Sequence, residues 1–373
     1  MMIKLKENRS YIFKSLSLLG LAFFMSCGVA KNKDLVSSKT IENKLNAAKG
    51  KGILFGHQDD LAYGIGWKYV EGESDVKRVA GDYPALFGWE LGGLELDHSV
   101  NLDSVPFETI RKLSIKAHNL GGINTYSWHP YSVIDSISAW TKDADVVRHI
   151  IPGGSHHEAF KKQLDKVAVF FKSLKTADGK QIPFIFRPWH EMDGNWFWWG
   201  NKQCTPSEFK EFFKFTIHYL REIKGVDNML SAYSPDRRWN TLEEYYSWYP
   251  GDAYVDILGM DNYGLSMENG TEEAITKLHM IIKEAKLKNK FAALTETGLE
   301  NVTDNTWFTN KLGPVLQDPI VAKELSYVMI WRSDEKVHFF FPYPGHPAAA
   351  DAKKFLDKPE ILLLNDFVKI QNN

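Results

Sequence analysis

From Ile53 onward, short apolar runs alternate with stretches in which apolar residues recur every three or four positions. The short runs are Ile53–Phe55, Pro84–Trp89, Gly122–Tyr126, Ile182–Phe186, Met229–Ala232, Val255–Gly259, Phe291–Leu294 and Ser326–Ile330. Each has the length and apolar content of a buried strand. Between them, Phe107–Asn119, Glu158–Leu174, Ser207–Ile223 and Glu272–Lys288 carry helical spacing, and a closing helix is expected near Ala350–Leu356. In Glu158–Leu174, for example, Phe160, Leu164, Val167, Phe171 and Leu174 fall on one face. Thr205-Pro206-Ser207-Glu208 reads as a helix start, with a Thr cap, Pro in the first turn and an acid at the third position. Strand–helix alternation without a break predicts an α/β chain folded as a single (β/α)8 TIM barrel rather than a doubly wound sheet.

The residues just past each strand decide where chemistry falls. Gly56-His57-Gln58-Asp59-Asp60 comes after the first, Glu90 after the second, Trp128-His129-Pro130 after the third and Arg187 to Trp196 after the fourth. Ser234-Pro235-Asp236-Arg237-Arg238-Trp239 comes after the fifth, Asp261-Asn262-Tyr263 after the sixth, Glu296 after the seventh and Trp331-Arg332 after the eighth. A barrel gathers all of these strand ends on one face, and the active site is expected there.

The densest block is Arg187-Pro188-Trp189-His190-Glu191-Met192-Asp193-Gly194-Asn195-Trp196-Phe197-Trp198-Trp199-Gly200. Four tryptophans around a His-Glu pair suit sugar chemistry, with ring faces for pyranose faces and a carboxyl to move a proton. The competing reading is an aromatic core cluster with a salt-bridged Glu. Glu296, in Thr295-Glu296-Thr297-Gly298, would sit across the barrel mouth from Glu191. Retaining glycosidases need such a pair, one group to protonate the leaving oxygen and one to attack the anomeric carbon. Aromatic surroundings disfavour an ionised Glu191 and suit an acid/base. Hydroxyl-bearing neighbours, with Arg187 and Tyr263 expected nearby, suit an ionised nucleophile at Glu296.

Composition narrows the class. Of 373 residues, 44% are hydrophobic and 25% charged, which is ordinary for a globular chain. A net charge of −2 leaves no basic surplus for a nucleic-acid partner. At the N-terminus, Lys4, Lys6, Arg9 and Lys14 precede the apolar run Leu16–Met25, too short to span a bilayer but suited to a signal peptide. Ser26-Cys27-Gly28 closes that run and resembles a bacterial lipoprotein signal lipidated at Cys27; cleavage near Ala30 as an ordinary secretory signal is the alternative. The expected organisation is a signal over residues 1–27, a tether over 28–40 and a catalytic barrel over 41–373. The only other cysteine is Cys204, so a lipidated Cys27 leaves no intramolecular disulfide. A monomer is expected, exported and anchored by lipid in a Gram-negative envelope.

His57, Asp59, Asp60, His129 and His190 are the residues from which a metal site could be assembled. The first strand end carries His-Gln-Asp rather than His-x-His, and the adjacent His156 and His157 do not readily face one ion, so no metal and no cofactor are expected.

The block Arg-Pro-x-His-Glu-Met-x-Gly-x-Trp-x-Trp-Trp-Gly, with the later Asp-x-Tyr-Gly and Thr-Glu-Thr-Gly, resembles glycoside hydrolase family 26. The early Gly56-His57-Gln58 and the Trp331-Arg332 step fit as well, so the resemblance covers nearly the whole chain past the tether. It implies a retaining β-mannanase acting on mannan, galactomannan, glucomannan or their oligosaccharides. Glu191 would be the acid/base and Glu296 the nucleophile. His129 and His190 would contact the sugar at the cleavage point, with Trp196 and Trp331 as stacking walls. Tyr263 would hold the nucleophile, Arg332 would bind the sugar one unit further to the non-reducing side, and Asp261 joins the substrate-binding set. His190 stands where other barrel retaining glycosidases of the clan usually place Asn before the acid/base, and a core imidazole holding the strand end is its alternative reading.

Xylan or mixed-linkage glucan would keep this mechanism with another substrate. A silent glycan-binding lipoprotein would be expected to have lost one of the two carboxylates. The connection from Pro130 to about His157 is long for a barrel loop, and reads either as a wall that favours mannobiose release or as a surface excursion.

Overall fold

The computed structural model describes residues 39–372; the candidate signal with Cys27, and residues 28–38, lie outside the described residues. Eight parallel strands form the barrel: β1 (Ile53–Gln58), β2 (Leu86–Glu90), β3 (Ile123–Trp128), β4 (Phe184–Pro188), β5 (Met229–Tyr233), β6 (Ile257–Asn262), β7 (Phe291–Thr297) and β8 (Leu325–Ile330). Each pairs with its sequence neighbours, and β8 closes on β1 from Leu54↔Tyr327 to His57↔Ile330. All eight apolar runs are strands. Several extend further than expected, so Gln58, Glu90, Asp261 and Glu296 lie within strands rather than after them. Polar residues at a strand's end look like loop in the sequence, yet here the ladder continues through them.

Alternate strand residues point to opposite sides. One from each strand (Leu54, Leu86, Ile123, Ile185, Leu230, Ile257, Ala293 and Tyr327) fills the barrel interior. Their neighbours, such as Phe55, Phe87, Tyr126 and Phe184, pack outward under the helices.

Helix α1 (Lys39–Ala48) begins two residues before the end of the stretch read as a tether. Its Ile41 and Leu45 join the interior cluster, and Lys44 Nζ donates to Gly121 O at 3.0 Å just ahead of β3. The N-terminal end of the barrel is therefore covered, and the C-terminal strand ends are left to build a site. Helices α2 (Phe107–Asn119), α3 (His157–Ser173), α4 (Pro206–His218), α5 (Gly270–Leu287) and α6 (Ala349–Leu356) stand close to where periodicity put them.

The reading of a helix through Ile223 is corrected: α4 ends at His218 and a π-helical turn covers Tyr219–Ile223. At its start Thr205 and Glu208 cap each other reciprocally, worth about 1 kcal/mol. α6 does not close the chain, because α7 (Leu364–Asn372) comes after it. A ninth strand, β9 (Ile361–Leu362), pairs beside Ile53 and Leu54; two residues carry no period by which to foresee it.

Candidate active site

The chain leaves β4 at Pro188 and turns sharply, with φ of 56° at Trp189 and 54° at Glu191. Neither residue favours that region, and holding each there costs about 1–3 kcal/mol. The surroundings impose it. Glu191 N donates to Ser234 O at 2.8 Å, Trp199 Nε1 to His190 O at 2.9 Å and Trp189 Nε1 to Thr216 Oγ1 at 3.2 Å. Trp189, Trp198 and Trp199 are buried and pack on one another and on Phe212. Three of the four tryptophans are thus core, which corrects the reading of the whole block as a pocket lining. They clamp the turn that presents Glu191.

Trp196 alone of the four reaches the surface. Its Nε1 donates to Glu191 Oε2 at 2.7 Å, and the Arg238 guanidinium lies 4.8 Å over its ring. Gly194 permits this, since a Cβ there would stand 2.3 Å from the Trp196 ring. Burial pushes the Glu191 carboxyl well above the ordinary range; the charges of Asp261, Glu296 and Asp236 push the same way, against the Trp196 hydrogen bond. This environment favours the protonated form of the Glu191 carboxyl.

Glu296 occupies the end of β7, in register with Asp261 on β6. Tyr263 Oη donates to its Oε1 at 2.5 Å, and Arg187 forms an ion pair with its Oε2. Both carboxylate oxygens are held, so the group has one orientation. Arg187 also pairs with Asp261 Oδ2 at 2.7 Å, while Ser234 and Thr295 donate to Asp261 Oδ1 at 2.8 and 2.7 Å. Asp261 was expected to bind substrate. It is fully buried with both oxygens engaged, and instead it holds Arg187 against Glu296.

His190, Asp261 and Glu296 offer ligand atoms within 4.8 Å of one another. Arg187 already binds an oxygen of each carboxylate, so the protein supplies the cation there itself. Of the residues from which a metal site could be assembled, His57 pairs with Asp60 at 2.7 Å, apart from that trio.

His190 and His129 meet through their Nε2 atoms at 2.9 Å, so one of the two carries the shared proton. Burial, then the charges of Arg187 and His129, hold His190 well below the ordinary histidine range, and it is neutral. His129 Nδ1 lies 2.8 Å from Oε2 of Glu90, and its backbone N–H donates to Glu90 Oε1 at 2.8 Å. Burial alone would raise the Glu90 carboxyl. The His129 charge and hydrogen bonds from His129 and Ser127 outweigh it and bring the group down to about 2. Trp331 stands edge-on to His129 at 6.1 Å, while Trp140, from the long connection, stacks flat on it at 5.1 Å.

Arg332 lies in a neighbouring cluster, paired with Asp103 at 3.1 Å and Asp334 at 3.0 Å, with Tyr63 Oη at 3.5 Å. Burial pushes Asp103 up to about 6 in spite of Arg332.

The structure thus gathers Glu296, Tyr263 and Asp261 around Arg187, pairs His129 with His190, and sets Trp196 on Glu191, with Trp331 beside His129 and Arg332 in a neighbouring cluster. Sequence reasoning put Glu90 at a strand end but gave it no role, whereas it fixes His129, and it left out Asp103, which fixes Arg332. An acid ending the apolar run Leu86–Trp89 was a usable signal, of the same kind as Glu296. Asp103 lies in a loop with no pattern to mark it.

Two buried carboxyl groups in different surroundings, one just past β4 and one at the end of β7 of a parallel barrel, are the arrangement found in glycoside hydrolases. The chain belongs to glycosyl hydrolase family 26, whose profile matches residues 31–311. It is 40% identical to a family 26 β-mannanase from Bacteroides ovatus of known structure, covering 88% of this chain and 96% of that one with a TM-score of 0.84. A modular endo-β-1,4-mannanase from Cellulomonas fimi superposes with a TM-score of 0.81 at 33% identity, over 88% of this chain and 76% of that one. A mannan endo-1,4-β-mannosidase of Bifidobacterium adolescentis is 31% identical over 340 residues, which cover 84% of this chain. The match spans only 33% of that relative's length.

Proposed function

We propose that the protein is a retaining β-1,4-mannanase, and the observation that carries this is the division of labour between Glu191 and Glu296. Glu191 is buried, keeps its proton and is steered by Trp196. Glu296 is the ion-paired partner of Arg187, with Tyr263 on its other oxygen. In the first step a Glu296 oxygen bonds to the anomeric carbon while the Glu191 proton passes to the departing glycosidic oxygen. In the second, Glu191 takes a proton from water, whose oxygen displaces Glu296 and restores the starting configuration. His129 and His190 face the sugar at the cleavage point, and Trp196 and Trp331 flank it.

The substrate is inferred from the relatives, which are named for mannan and β-mannan hydrolysis. The long connection favours a walled groove and a short product such as mannobiose. Ala139 O accepts from Trp198 N at 3.0 Å, Asp143 N donates to Gln203 at 2.6 Å, and Trp140 covers His129. That supports the wall over the surface excursion. Export with a lipid on Cys27 completes the proposal, on the N-terminal pattern alone.

The test is product analysis on mannan, galactomannan, xylan and mixed-linkage glucan, with the first-formed anomer read by proton NMR. Mannobiose of β configuration from the earliest time point is expected. An α-anomer as first product overturns the retaining mechanism. Products from xylan or glucan alone overturn the substrate.

A further inference from the structure

The end of the barrel opposite the active site carries a groove of about 620 Å³ between the C-terminal half of α5 and the short helix Pro319–Glu324. Gly50 N donates to Lys323 O at 3.1 Å, and Lys49 pairs with Glu324 at 3.0 Å. The groove therefore adjoins α1, the helix that covers the N-terminal strand ends.

Its make-up is apolar with a positive surplus. Ile282, Leu287, Pro319 and Ile320 line it, and Leu287 is 72% exposed and Ile320 47%. The acids nearby are already paired, Glu324 with Lys49 and Lys286, and Asp318 with His279. Lys283 and Lys323 also line the groove, are exposed and have no acidic partner among the described residues. Exposed apolar side chains beside unpaired lysines suit an anionic membrane surface. The apolar groups enter the headgroup boundary while the ammonium groups meet lipid phosphates.

The length of the chain ahead of α1 selects a membrane over other occupants. The described residues begin at Lys39, and only residues 28–38 separate it from Cys27. That stretch spans at most about 40 Å. A compact chain of this size is roughly 50 Å across. A lipid on Cys27 thus leaves the α1 end nearest the bilayer and keeps the active-site mouth from resting on it.

We propose that this groove docks on an anionic lipid surface, with Leu287 and Ile320 in the headgroup layer and Lys283 and Lys323 on lipid phosphates, so that the cleft opens away from the membrane. The proposal rests on the reading of Cys27 as lipidated.

The test uses the full lipidated chain in vesicles of phosphatidylethanolamine and phosphatidylglycerol. A nitroxide is attached through Leu287→Cys in one sample and through Val337→Cys, past β8 at the other end, in a second. The chain without an added cysteine gives the background from Cys204. Collisions with a water-borne nickel chelate are expected to fall several-fold at Leu287 relative to Val337. Lys283→Glu with Lys323→Glu should restore them at Leu287; neither lysine lies near the cleft, so mannan hydrolysis in solution checks that this variant folds. Equal access at both positions overturns the docking, and protection at Val337 overturns the orientation. Protection unchanged by the charge reversal overturns the pairing with lipid phosphate. Spin–spin broadening between Leu287 labels makes a second copy the occupant and overturns the lipid. Cys27 without lipid, read by mass spectrometry, overturns the anchoring itself, and this inference with it.

Discussion

Trp196 holds Glu191 by a 2.7 Å hydrogen bond from its indole N–H, and the same ring carries Arg238 on its face. That bond favours the ionised carboxylate and works against burial, which raises the Glu191 pKa. The proposed mechanism needs the protonated form, so activity is expected to fall as pH rises through the raised pKa. Trp196→Phe deletes the donor and should move the alkaline limb of kcat/KM to higher pH. A limb that stays in place, or moves down, would show that another group sets it.

Glu191→Ala removes the proton donor outright. Turnover of polysaccharide should fall by about 10²–10⁴-fold, the usual worth of a general acid. An aryl mannobioside with an activated phenol needs little protonation, so its first step should be nearly spared. Equal losses on the two substrates would count against the acid role.

That Glu191 and Glu296 share one face was legible in the sequence because each lies a few residues past an apolar run, and eight such runs in series imply one barrel mouth. The division of the tryptophans was not. Trp189, Trp196, Trp198 and Trp199 are alike in sequence, and only the path of the loop decides that three are buried against one another while one meets Glu191. Asp261 failed for a similar reason. Its place at a strand end marked it as functional, but a buried guanidinium two strands away determines what it touches. Contacts across a barrel mouth depend on register, which no local pattern encodes.

Tyr263 and Arg187 share the Glu296 carboxylate, one on each oxygen. Tyr263→Phe removes the neutral donor and keeps the ion pair. The expected result is a loss in kcat of about 10²-fold with KM little changed, since the donor orients the attacking oxygen in the step rather than gripping sugar. Glu296→Ala should abolish turnover. Substantial hydrolysis by that variant would sink the nucleophile assignment.

Glu90 links the site to acid stability. Its pKa is about 2 in the folded state against an ordinary 4.5, a depression worth about 3 kcal/mol. A lowered carboxyl pKa stabilises the fold above the unfolded value, and that contribution is lost as pH falls from about 4.5 through 2. Melting temperature should therefore drop over that window in the wild type. Glu90→Gln should be less stable at neutral pH, and its melting temperature should depend less on pH below 4.5. Parallel curves would place the acid sensitivity elsewhere.

Trp140 offers the clearest test of the long connection. It is half exposed, and its ring lies 7° from parallel with the His129 imidazole. An aromatic contact of this kind is worth about 0.5–1.5 kcal/mol, which converts to roughly 2–12-fold in an equilibrium constant. Trp140→Ala should raise KM for manno-oligosaccharides within that range. It should change kcat far less, because His129 keeps its hydrogen bonds to Glu90 and His190. If the connection is the wall that limits product length, the variant should also release longer oligosaccharides before mannobiose. An unchanged product pattern with raised KM would leave Trp140 a sugar platform and remove the wall. An unchanged KM would make the connection a surface excursion after all, with the stack serving only to orient His129.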